Sequence, residues 1–394
     1  MQNGEPAVDS TAVSHIRTTF KALAAADDGG IGVTRSFYSI LFAKYPDMRE
    51  IFPAVMEMQA DRLLEAIAYV VENLDDMDKV QSFLVQLGRD HRRYGITEDH
   101  FIAVGGTLIS TLERFAGTEL WTEEVDLAWR EAVALIAAVM LGEINSGDGP
   151  GTWTGTVVEH KQVLQDVAIV RLQLDQPMTY GAGQYVGVSV PSRPRMWRYL
   201  SPAIPANDAG QIEFHVRRVA GGWVSPAMVR GVTPGERWSL SAPLGSLGVD
   251  RTTGRDQLMI ASGTGIAPLR AQIMEMAMRG NNPRVHLFVG GTYPCDLYDL
   301  ETLWQLARTN PWLTVIPVSE ENVNPWWHTD PPPVTPPGMS ERLTGKLGEV
   351  VAEFGTWEDR DIQIVGSPST VRTVKYRLQA KGTPMENVRH DPLF

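Results

Sequence analysis

The stretch GQYVGVSVPSRPRMWRYLS runs from Gly183 to Ser201, near the middle of the chain. Its first half, Gln184 to Val190, alternates apolar and small residues as a strand does, and its second half carries Arg198 into another extended run. An arginine suits a diphosphate because its planar fork donates two parallel charge-assisted hydrogen bonds, and a serine hydroxyl can add one more. The stretch therefore predicts a strand pair that binds a phosphorylated cofactor. The alternative is an ordinary strand pair with an exposed arginine.

Composition and charge restrict the function classes. The 394 residues suffice for two or three domains, each with a full core. The balance of 35 Lys+Arg against 47 Asp+Glu gives a net charge of −12, which argues against nucleic acid or an anionic membrane surface as the main partner. Cys295 is the only cysteine, which excludes disulfides within the chain and cysteine-ligated iron–sulfur clusters. Met1–Phe20 lacks a signal-peptide pattern, and the longest apolar run, Ala132–Leu141, is far shorter than the roughly 18 residues of a membrane span. We expect a cytoplasmic protein.

Helical periodicity dominates residues 1–147 after a polar leader. The predicted helices are Val33–Lys44, Gln59–Leu74, Val80–Tyr94, His100–Phe115 and Val125–Ile144. In the third, apolar residues recur at steps of four and three, and this row includes His91. A histidine on an apolar face is either a hydrogen-bonded core residue or a ligand of haem iron.

The first third of the chain resembles the globin domain of the flavohaemoglobins. The string FYSILFAKYPDMREIF matches the second helix of that domain and the corner after it, and LGRDHRRYGIT matches the helix with the proximal ligand. The resemblance implies that His91 is the proximal and metal-binding ligand of a b-type haem, with Phe52 packed on the haem. It implies that Tyr38 and Gln59 are the distal hydrogen-bonding residues, with Leu63 beside them. A phenol and an amide can both donate to bound dioxygen in a dry pocket.

Two positions on the proximal side depart from that family. The family places a tyrosine and a glutamate around the proximal histidine, a network that increases electron density on the iron. The tyrosine position is Phe101 here, which cannot form a hydrogen bond. The glutamate position falls near Ile144, with Glu143 one residue away and about 100° around the helix. We expect weaker tuning of the iron.

The next segment predicts an antiparallel β-barrel. The turn-rich hinge Ser146–Gly151 contains no apolar residue, and beyond it several short runs alternate in the manner of strands. Arg198, Tyr199, Leu200 and Ser201 resemble the Arg-x-Tyr-Ser string that holds FAD in the ferredoxin-NADP reductase-like family, where Gln184 and Tyr185 would line the same shelf. Leu200 replaces the family's aromatic residue. In the segment Gly221–Val229, the candidates for covering the FAD pyrophosphate are Gly222, Val224 and Ser225. A simple barrel cap is the alternative.

The last segment predicts an α/β nucleotide lobe. QLMIASGTGIAPLRAQIMEM is a strand, a glycine turn and a helix, and its candidates for binding NAD are Gly263, Thr264, Gly265 and Pro268. GSPSTV resembles the second nucleotide turn of the same reductase family and adds Gly366, Ser367 and Pro368. Further strands and helices alternate in a βαβ rhythm, which predicts a parallel sheet.

Three features at the edges of this lobe complete its description. GGTYPCD contains no lysine or arginine to bind a 2′-phosphate, which favours NADH over NADPH. The proline-rich segment Asn324–Gly338 is predicted to be a surface loop, because prolines block both helix and sheet. Phe394 is a candidate aromatic shield of the flavin, although a terminal residue is equally expected to fray.

The chain is thus predicted to contain an all-α globin haem domain (1–147), an antiparallel β-barrel FAD domain (152–250) and an α/β parallel-sheet NAD(P) domain (256–394). The resemblance implies that electrons pass from NADH through FAD to a haem that binds O2, and that the protein is a nitric oxide dioxygenase forming nitrate. The alternatives are a haem-dependent NADH oxidase or reductase, a protein with another electron donor, and a non-catalytic oxygen or redox sensor. We expect a monomer that binds small molecules, and neither nucleic acid nor membrane.

Overall fold

The computed structural model describes residues 9–25, 30–53, 56–147, 149–331 and 334–391. It divides into a first unit, Met1–Thr152, and a second unit, Trp153–Phe394. The first unit is helical, and the second contains two six-stranded sheets among its described residues. No helix in the described ranges is long and apolar enough to cross a membrane.

The described part of the first unit consists of α1 (Ser10–Ala24), α2 (Ile31–Lys44), α3 (Glu57–Glu72), α4 (Met77–His91), α5 (Glu98–Leu120) and α6 (Glu123–Ser146). The predicted helices correspond to α2–α6, with ends that differ by a few residues. Helix α1 was not predicted, because the polar leader was taken to extend through it. Its inward row, Val13, Ile16 and Leu23, is buried, and Asp9 caps its start by accepting from the Thr11 amide.

Helix α4 is held close to α6 by a glycine. A Cβ at Gly88 would lie 2.8 Å from the Met140 carbonyl oxygen, so the two backbones approach without a side chain between them. One turn later α4 ends at His91, and Gly95 reverses the chain with a φ of 63°. This close crossing fixes where the end of α4, and therefore His91, lies in the core of the first unit.

The first half of the second unit is the barrel. Its strands are β1 (Thr152–Leu164), β2 (Val167–Leu174), β3 (Val186–Val190), β4 (Arg193–Leu200), β5 (Gln211–Arg217) and β6 (Arg237–Ser241), with α7 (Ser225–Arg230) between the last two. The sheet order is β4-β3-β6-β1-β2-β5, and a bridge between Pro202 and Phe214 brings its two ends together. Register shifts in β1 curve the sheet around a core that includes Trp238 and Phe214, both fully buried. The antiparallel barrel prediction is confirmed.

The second half is the nucleotide lobe. Its strands are β7 (Asp256–Ser262), β8 (Val285–Gly291), β9 (Leu313–Ser319), β10 (Leu343–Thr344), β11 (Arg360–Val365) and β12 (Val388–Arg389). Its helices are α8 (Ile266–Ala277), α9 (Leu300–Thr309), α10 (Leu347–Glu353) and α11 (Pro368–Ala380). The parallel order β10-β9-β8-β7-β11-β12 confirms the predicted α/β lobe. The chain turns to opposite sides of β7, so β7 and β11 flank the switch point where such sheets bind ligands.

A buried ionic network joins the barrel to the nucleotide lobe. Arg270 of α8 pairs with Glu213 of β5 and, at 3.1 Å, with Asp299, and all three are buried. His215 of β5 lies 2.9 Å from the Tyr298 hydroxyl. Although burial alone raises the pKa of Glu213, its contacts with His215, Arg270 and Arg171 lower that pKa on balance. The two domains that the sequence predicts separately form one compact unit for this reason.

Candidate haem, flavin and nucleotide sites

The first unit encloses an apolar cavity of about 210 Å³. Five residues predicted for the haem site line it together: Tyr38, Phe52, Gln59, Leu63 and His91. These residues come from α2, the turn after it, α3 and α4, so the fold brings together side chains that are up to 53 positions apart. The remaining lining is almost entirely aliphatic and aromatic. Such a lining suits the flat apolar body of a tetrapyrrole and excludes water.

His91 presents a ligand nitrogen to this cavity. Its Nδ1 lies 2.7 Å from the Leu87 carbonyl oxygen one turn earlier. A carbonyl can only accept, so Nδ1 carries the proton and Nε2 retains a free lone pair. Burial lowers the pKa of His91, while the neighbouring Asp90 carboxylate opposes this effect, and the imidazole is therefore neutral. A neutral imidazole with a fixed tautomer in an apolar cavity fits the axial position of haem iron.

Among the residues that the structure describes, no carboxylate pairs with the His91 imidazole. Glu143 pairs instead with Arg89 at 2.8 Å, and Asp90 pairs with Arg93 at 2.8 Å. Phe101 lines the cavity, as does His100, whose Nδ1 accepts from the Thr97 amide and caps α5. The Nε2 of His100 therefore carries a proton and can donate to a carboxylate of a bound cofactor. The sequence analysis missed His100, whose position three residues after the Thr97 helix cap would have indicated only a structural role.

Tyr38 also lines the cavity. Its hydroxyl lies 3.5 Å from the Gln59 backbone carbonyl, a distance too long for a strong hydrogen bond. Burial raises the pKa of Tyr38 to about 12, against a smaller lowering by Gln59, so the phenol remains a donor at neutral pH. The Tyr38 ring packs on Phe42 and Phe52 at centroid distances of 5.8 and 5.5 Å. This aromatic cluster fixes the direction in which the hydroxyl can donate.

In the barrel, the predicted flavin strand places its residues on two faces. Leu200 is opposite Val186 in the β3–β4 ladder and packs against the barrel core. Tyr199 is opposite Gly187, is 36% exposed, and meets the Tyr185 ring edge-on at 5.2 Å. The aromatic surface at this strand is therefore formed by Tyr185 and Tyr199, while Leu200 replaces the family's aromatic with an aliphatic side chain directed to the core.

The polar groups of this strand and of the loop before α7 lie side by side. Arg193 donates to the Trp223 carbonyl at 3.0 Å and so ties β4 to that loop. Arg198 donates to the Trp197 carbonyl at 2.7 Å, which keeps its guanidinium close to the strand, and the half-buried Ser201 directly follows the end of β4. Arginine and serine donors in this arrangement fit a diphosphate.

Other predicted flavin contacts are corrected in their details. Gly222 donates its N–H to the Val219 carbonyl at 3.1 Å, so this amide is not available to a pyrophosphate. The Val224 side chain is fully buried, which leaves only its backbone as a possible contact. The Ser225 hydroxyl oxygen accepts from the Val219 amide at 3.0 Å and retains its own proton as a donor. The first turn of α7 nevertheless has amides without partners inside the helix.

The Gln184 side chain braces the end of the barrel. Its oxygen accepts from the Gly181 amide at 2.8 Å and its nitrogen donates to the Gly245 carbonyl at 2.9 Å. Its amide group is thus bonded to the backbone on both sides, and its main-chain N–H also donates to the Gly181 carbonyl at 3.0 Å. Phe394 lies outside the described residues.

The two predicted nucleotide turns meet at the switch point. A Cβ at Gly265 would lie 2.4 Å from the Val365 carbonyl oxygen, so only glycine allows the turn after β7 to approach the end of β11. Gly366 contacts Ser262 in the same place, and Thr264 is half-buried within the turn.

The helices that follow these turns begin at the predicted residues. Pro268 is buried in the first turn of α8, where its missing N–H has no intrahelical partner to lose. Pro368 is the first residue of α11, and Ser367 caps that helix by accepting from the Thr370 amide at 3.2 Å. A glycine turn and a capped helix start at adjacent strand ends fit a dinucleotide.

Arg217 is a candidate that the sequence analysis missed. It ends β5 of the barrel, and its guanidinium carbon lies 3.5 Å from the position of a Cβ at Gly263, whose φ is 56°. Its side chain pairs with Asp296 at 3.0 Å and lies 3.6 Å from Asp166. A guanidinium held against a glycine turn can bind a phosphate group there. No local pattern in the sequence places a barrel residue at a turn that begins 46 positions later.

Comparisons with known families match these regions in turn. Residues 35–140 match the globin family, residues 154–248 the oxidoreductase FAD-binding domain, and residues 259–330 the oxidoreductase NAD-binding domain. These matches fall on the first unit, the barrel and the nucleotide lobe. Haem, FAD and NAD are thus the cofactors of the chain, and the donor sets described above fit them.

Individual relatives match this chain over different lengths. The chain is 23% identical to a flavohemoprotein of Vibrio cholerae serotype O1 over 96% of each sequence. It is 29% identical to the phenol hydroxylase P5 protein of Acinetobacter pittii over 42% of this chain, and spans 46% of that relative. The crystal structure of a flavohemoglobin from Malassezia yamatoensis shares its fold with a TM-score of 0.77 at 15% identity, over 98% of this chain and 99% of that one.

Proposed function

We propose that this chain, which belongs to the flavohaemoglobin family by its globin, FAD-binding and NAD-binding domains, oxidises nitric oxide to nitrate with O2 and with NADH as the donor. Electron transfer from NAD(P)H through FAD to the globin domain is the chemistry of flavohaemoproteins. The observation that carries the finer proposal is the haem cavity, whose apolar lining includes both a neutral imidazole and a buried phenol.

The cofactors supply the redox chemistry. When bound, haem provides a centre for O2 and one-electron reactions, and FAD divides the electron pair of a hydride into single electrons. Conversion of NO and O2 to nitrate takes up one electron, so one hydride supports two turnovers. The role of the protein is to orient these groups, to exclude water and to place hydrogen-bond donors.

His91, Tyr38 and Gln59 each have a separate role in the cavity. His91 holds its Nε2 toward the cavity, because the Leu87 carbonyl fixes the proton on Nδ1. Tyr38 keeps its phenolic proton, because burial raises its pKa to about 12, and would donate a hydrogen bond to a polar diatomic ligand. Gln59 lines the cavity beside it and supplies a second donor. The apolar lining strengthens these hydrogen bonds by excluding competing water.

The proposal is tested on the holoprotein in two steps. Absorbance is recorded anaerobically before and after NADH, and a pulse of NO is then followed in air-saturated buffer. We expect NADH-driven reduction of flavin and haem, followed by NO loss with nitrate as product. Tyr38→Phe should slow NO loss about tenfold, the effect of removing a hydrogen bond of roughly 1.4 kcal/mol, while Tyr69→Phe on α3 should have no effect. Because the pKa of Tyr38 is about 12, its contribution should not change between about pH 6 and pH 10.

A second candidate function is a haem-dependent NADH oxidase or reductase for which NO is not the substrate. It is favoured by the pairing of Glu143 with Arg89 and by the hydrogen bond of the proximal imidazole to the Leu87 backbone carbonyl, a weaker acceptor than a carboxylate. Oxygen-dependent NADH consumption without NO loss would replace the dioxygenase proposal with this one. Haem that stays ferric under excess NADH would contradict both and indicate another donor.

A further inference from the structure

Arg92, the residue directly after His91, binds the hinge through which the chain leaves the globin domain. Its Nη2 donates to the carbonyl oxygens of Gly147 and Gly149, both at 2.7 Å. A guanidinium nitrogen that donates to two carbonyls so close in sequence fixes the path of the chain between them. The sequence predicts only a turn-rich hinge at residues 146–151, whereas the structure ties the first half of that hinge to the end of α4.

The backbone of the hinge also packs directly on this arginine. A Cβ at Gly147 would lie 2.5 Å from Nη1 of Arg92, and a Cβ at Gly151 would lie 2.7 Å from its backbone carbonyl oxygen. A side chain at either position would therefore displace the hinge or the arginine. Gly149 has a φ of 76°, which also favours glycine. The glycines of the hinge thus fit its backbone to Arg92.

These contacts shorten the free segment between α6 and β1. Helix α6 ends at Ser146, Arg92 holds the chain at both ends of residues 147–151, and β1 begins at Thr152. Without the arginine, these residues would form a tether. A flexible tether of about five residues has a root-mean-square length of roughly 12 Å. Arg92 therefore removes a freedom of this size from the attachment of the second unit.

We propose that Arg92 is a positioning residue for electron transfer from the flavin to the haem, and that it acts by holding the hinge. In this step one electron leaves the reduced flavin and reduces ferric haem iron to ferrous. The effective concentration of a tethered partner falls roughly as the −3/2 power of the free length, so lengthening the tether from about one residue to about six lowers it about tenfold.

The inference rests on the electron path of the proposed function and is independent of whether nitric oxide is the substrate. It gives a role to an arginine that the haem, flavin and nucleotide sites leave unused. Arg92 acts through the hinge, so its replacement should change the hinge and the transfer rate together.

The test on the holoprotein measures both quantities. We expect Arg92→Ala to raise the rate at which endoproteinase Asp-N cuts before Asp148 about tenfold. Haem reduction by NADH-reduced flavin, followed anaerobically by stopped flow, should slow about tenfold. The Soret band and the rate of flavin reduction by NADH should stay unchanged. Arg114→Ala, which removes an exposed arginine of α5, is the matched control and should change none of these.

Gly151→Ala tests the same contact from the hinge side and with the arginine intact. Its methyl would meet the Arg92 carbonyl oxygen, so cleavage should again be faster and haem reduction slower. The double variant should be no slower than the slower single variant, because both changes release the same segment. Gly142→Ala on α6, whose methyl would meet nothing within 4 Å, is the control for this pair and should behave as the unaltered protein.

Three results would overturn the proposal. Unchanged cleavage in both folded variants would show that Arg92 does not hold the hinge. Faster cleavage with an unchanged rate of haem reduction would show that the hinge does not govern electron transfer. Haem that stays ferric with NADH in the unaltered protein would overturn both this proposal and the electron path on which it rests, whereas the first two results leave that path intact.

Discussion

The first unit and the second unit form their cofactor sites by different physical means. The haem cavity is made of apolar side chains, with His91 and Tyr38 supplying most of its chemistry. The nucleotide site is made of backbone that approaches closely at Gly265 and Gly366, with Arg217 of the barrel beside the Gly263 turn. A side-chain site depends on which residues share a helix face, whereas a backbone site depends on contacts between distant strands.

The largest effect that would separate the two sites is expected from His91→Ala. Without an axial nitrogen, the cavity keeps only apolar contacts with haem, and the Soret band should be lost or strongly reduced. Flavin content and NADH reduction of an artificial acceptor should stay unchanged, because these belong to the second unit. His15→Ala on α1 is the control. Retention of haem with native axial ligation in the His91 variant would show that another residue is the ligand.

Gly265→Ala is expected to impair the nucleotide site and to leave the haem site intact. The added methyl would lie 2.4 Å from the Val365 carbonyl oxygen, so the turn must move by a large fraction of an ångström. A displacement of this size in a hydride-transfer site should slow NADH-dependent flavin reduction about 100-fold and leave haem absorbance intact. Gly280→Ala, whose methyl would meet nothing within 4 Å, should reduce flavin at the normal rate. Equal rates in the two variants would contradict the assignment of the turn.

The smallest of these effects is expected from Arg198→Ala. Removal of a charge-assisted hydrogen bond to a diphosphate should weaken FAD binding about 10- to 100-fold, measured by flavin retained after dialysis. The haem spectrum should not change. Arg230→Ala at the exposed end of α7 serves as the control. Full FAD occupancy in the Arg198 variant would assign the diphosphate to other donors.

The sequence predicted the haem cavity better than the flavin and nucleotide contacts, for a physical reason. The period of α4 already places His91 on the apolar face, and the structure places it at the cavity with four other predicted residues. In contrast, the occupied amide of Gly222 depends on a turn within its loop that periodicity does not encode.

Long-range geometry explains the remaining differences. The position of Arg217 at the Gly263 turn arises because β5 and the nucleotide lobe pack together, which no local pattern specifies. Helix α1 was missed because its buried row is sparse and its other positions are polar. The network of Glu213 and Arg270 was missed because charged residues are normally expected on the surface.

The buried network of Glu213 and Arg270 limits the positions at which natural or engineered recombination can divide this chain without loss of stability. Separating the barrel from the nucleotide lobe near residues 250–256 would break the buried pair of Glu213 and Arg270, and breaking a buried pair destabilises a protein by about 3–5 kcal/mol. A junction at residues 147–152 falls instead at the boundary between the two units. The second unit is therefore suited to transfer as one cassette, delivering electrons from the same nucleotide to a different acceptor.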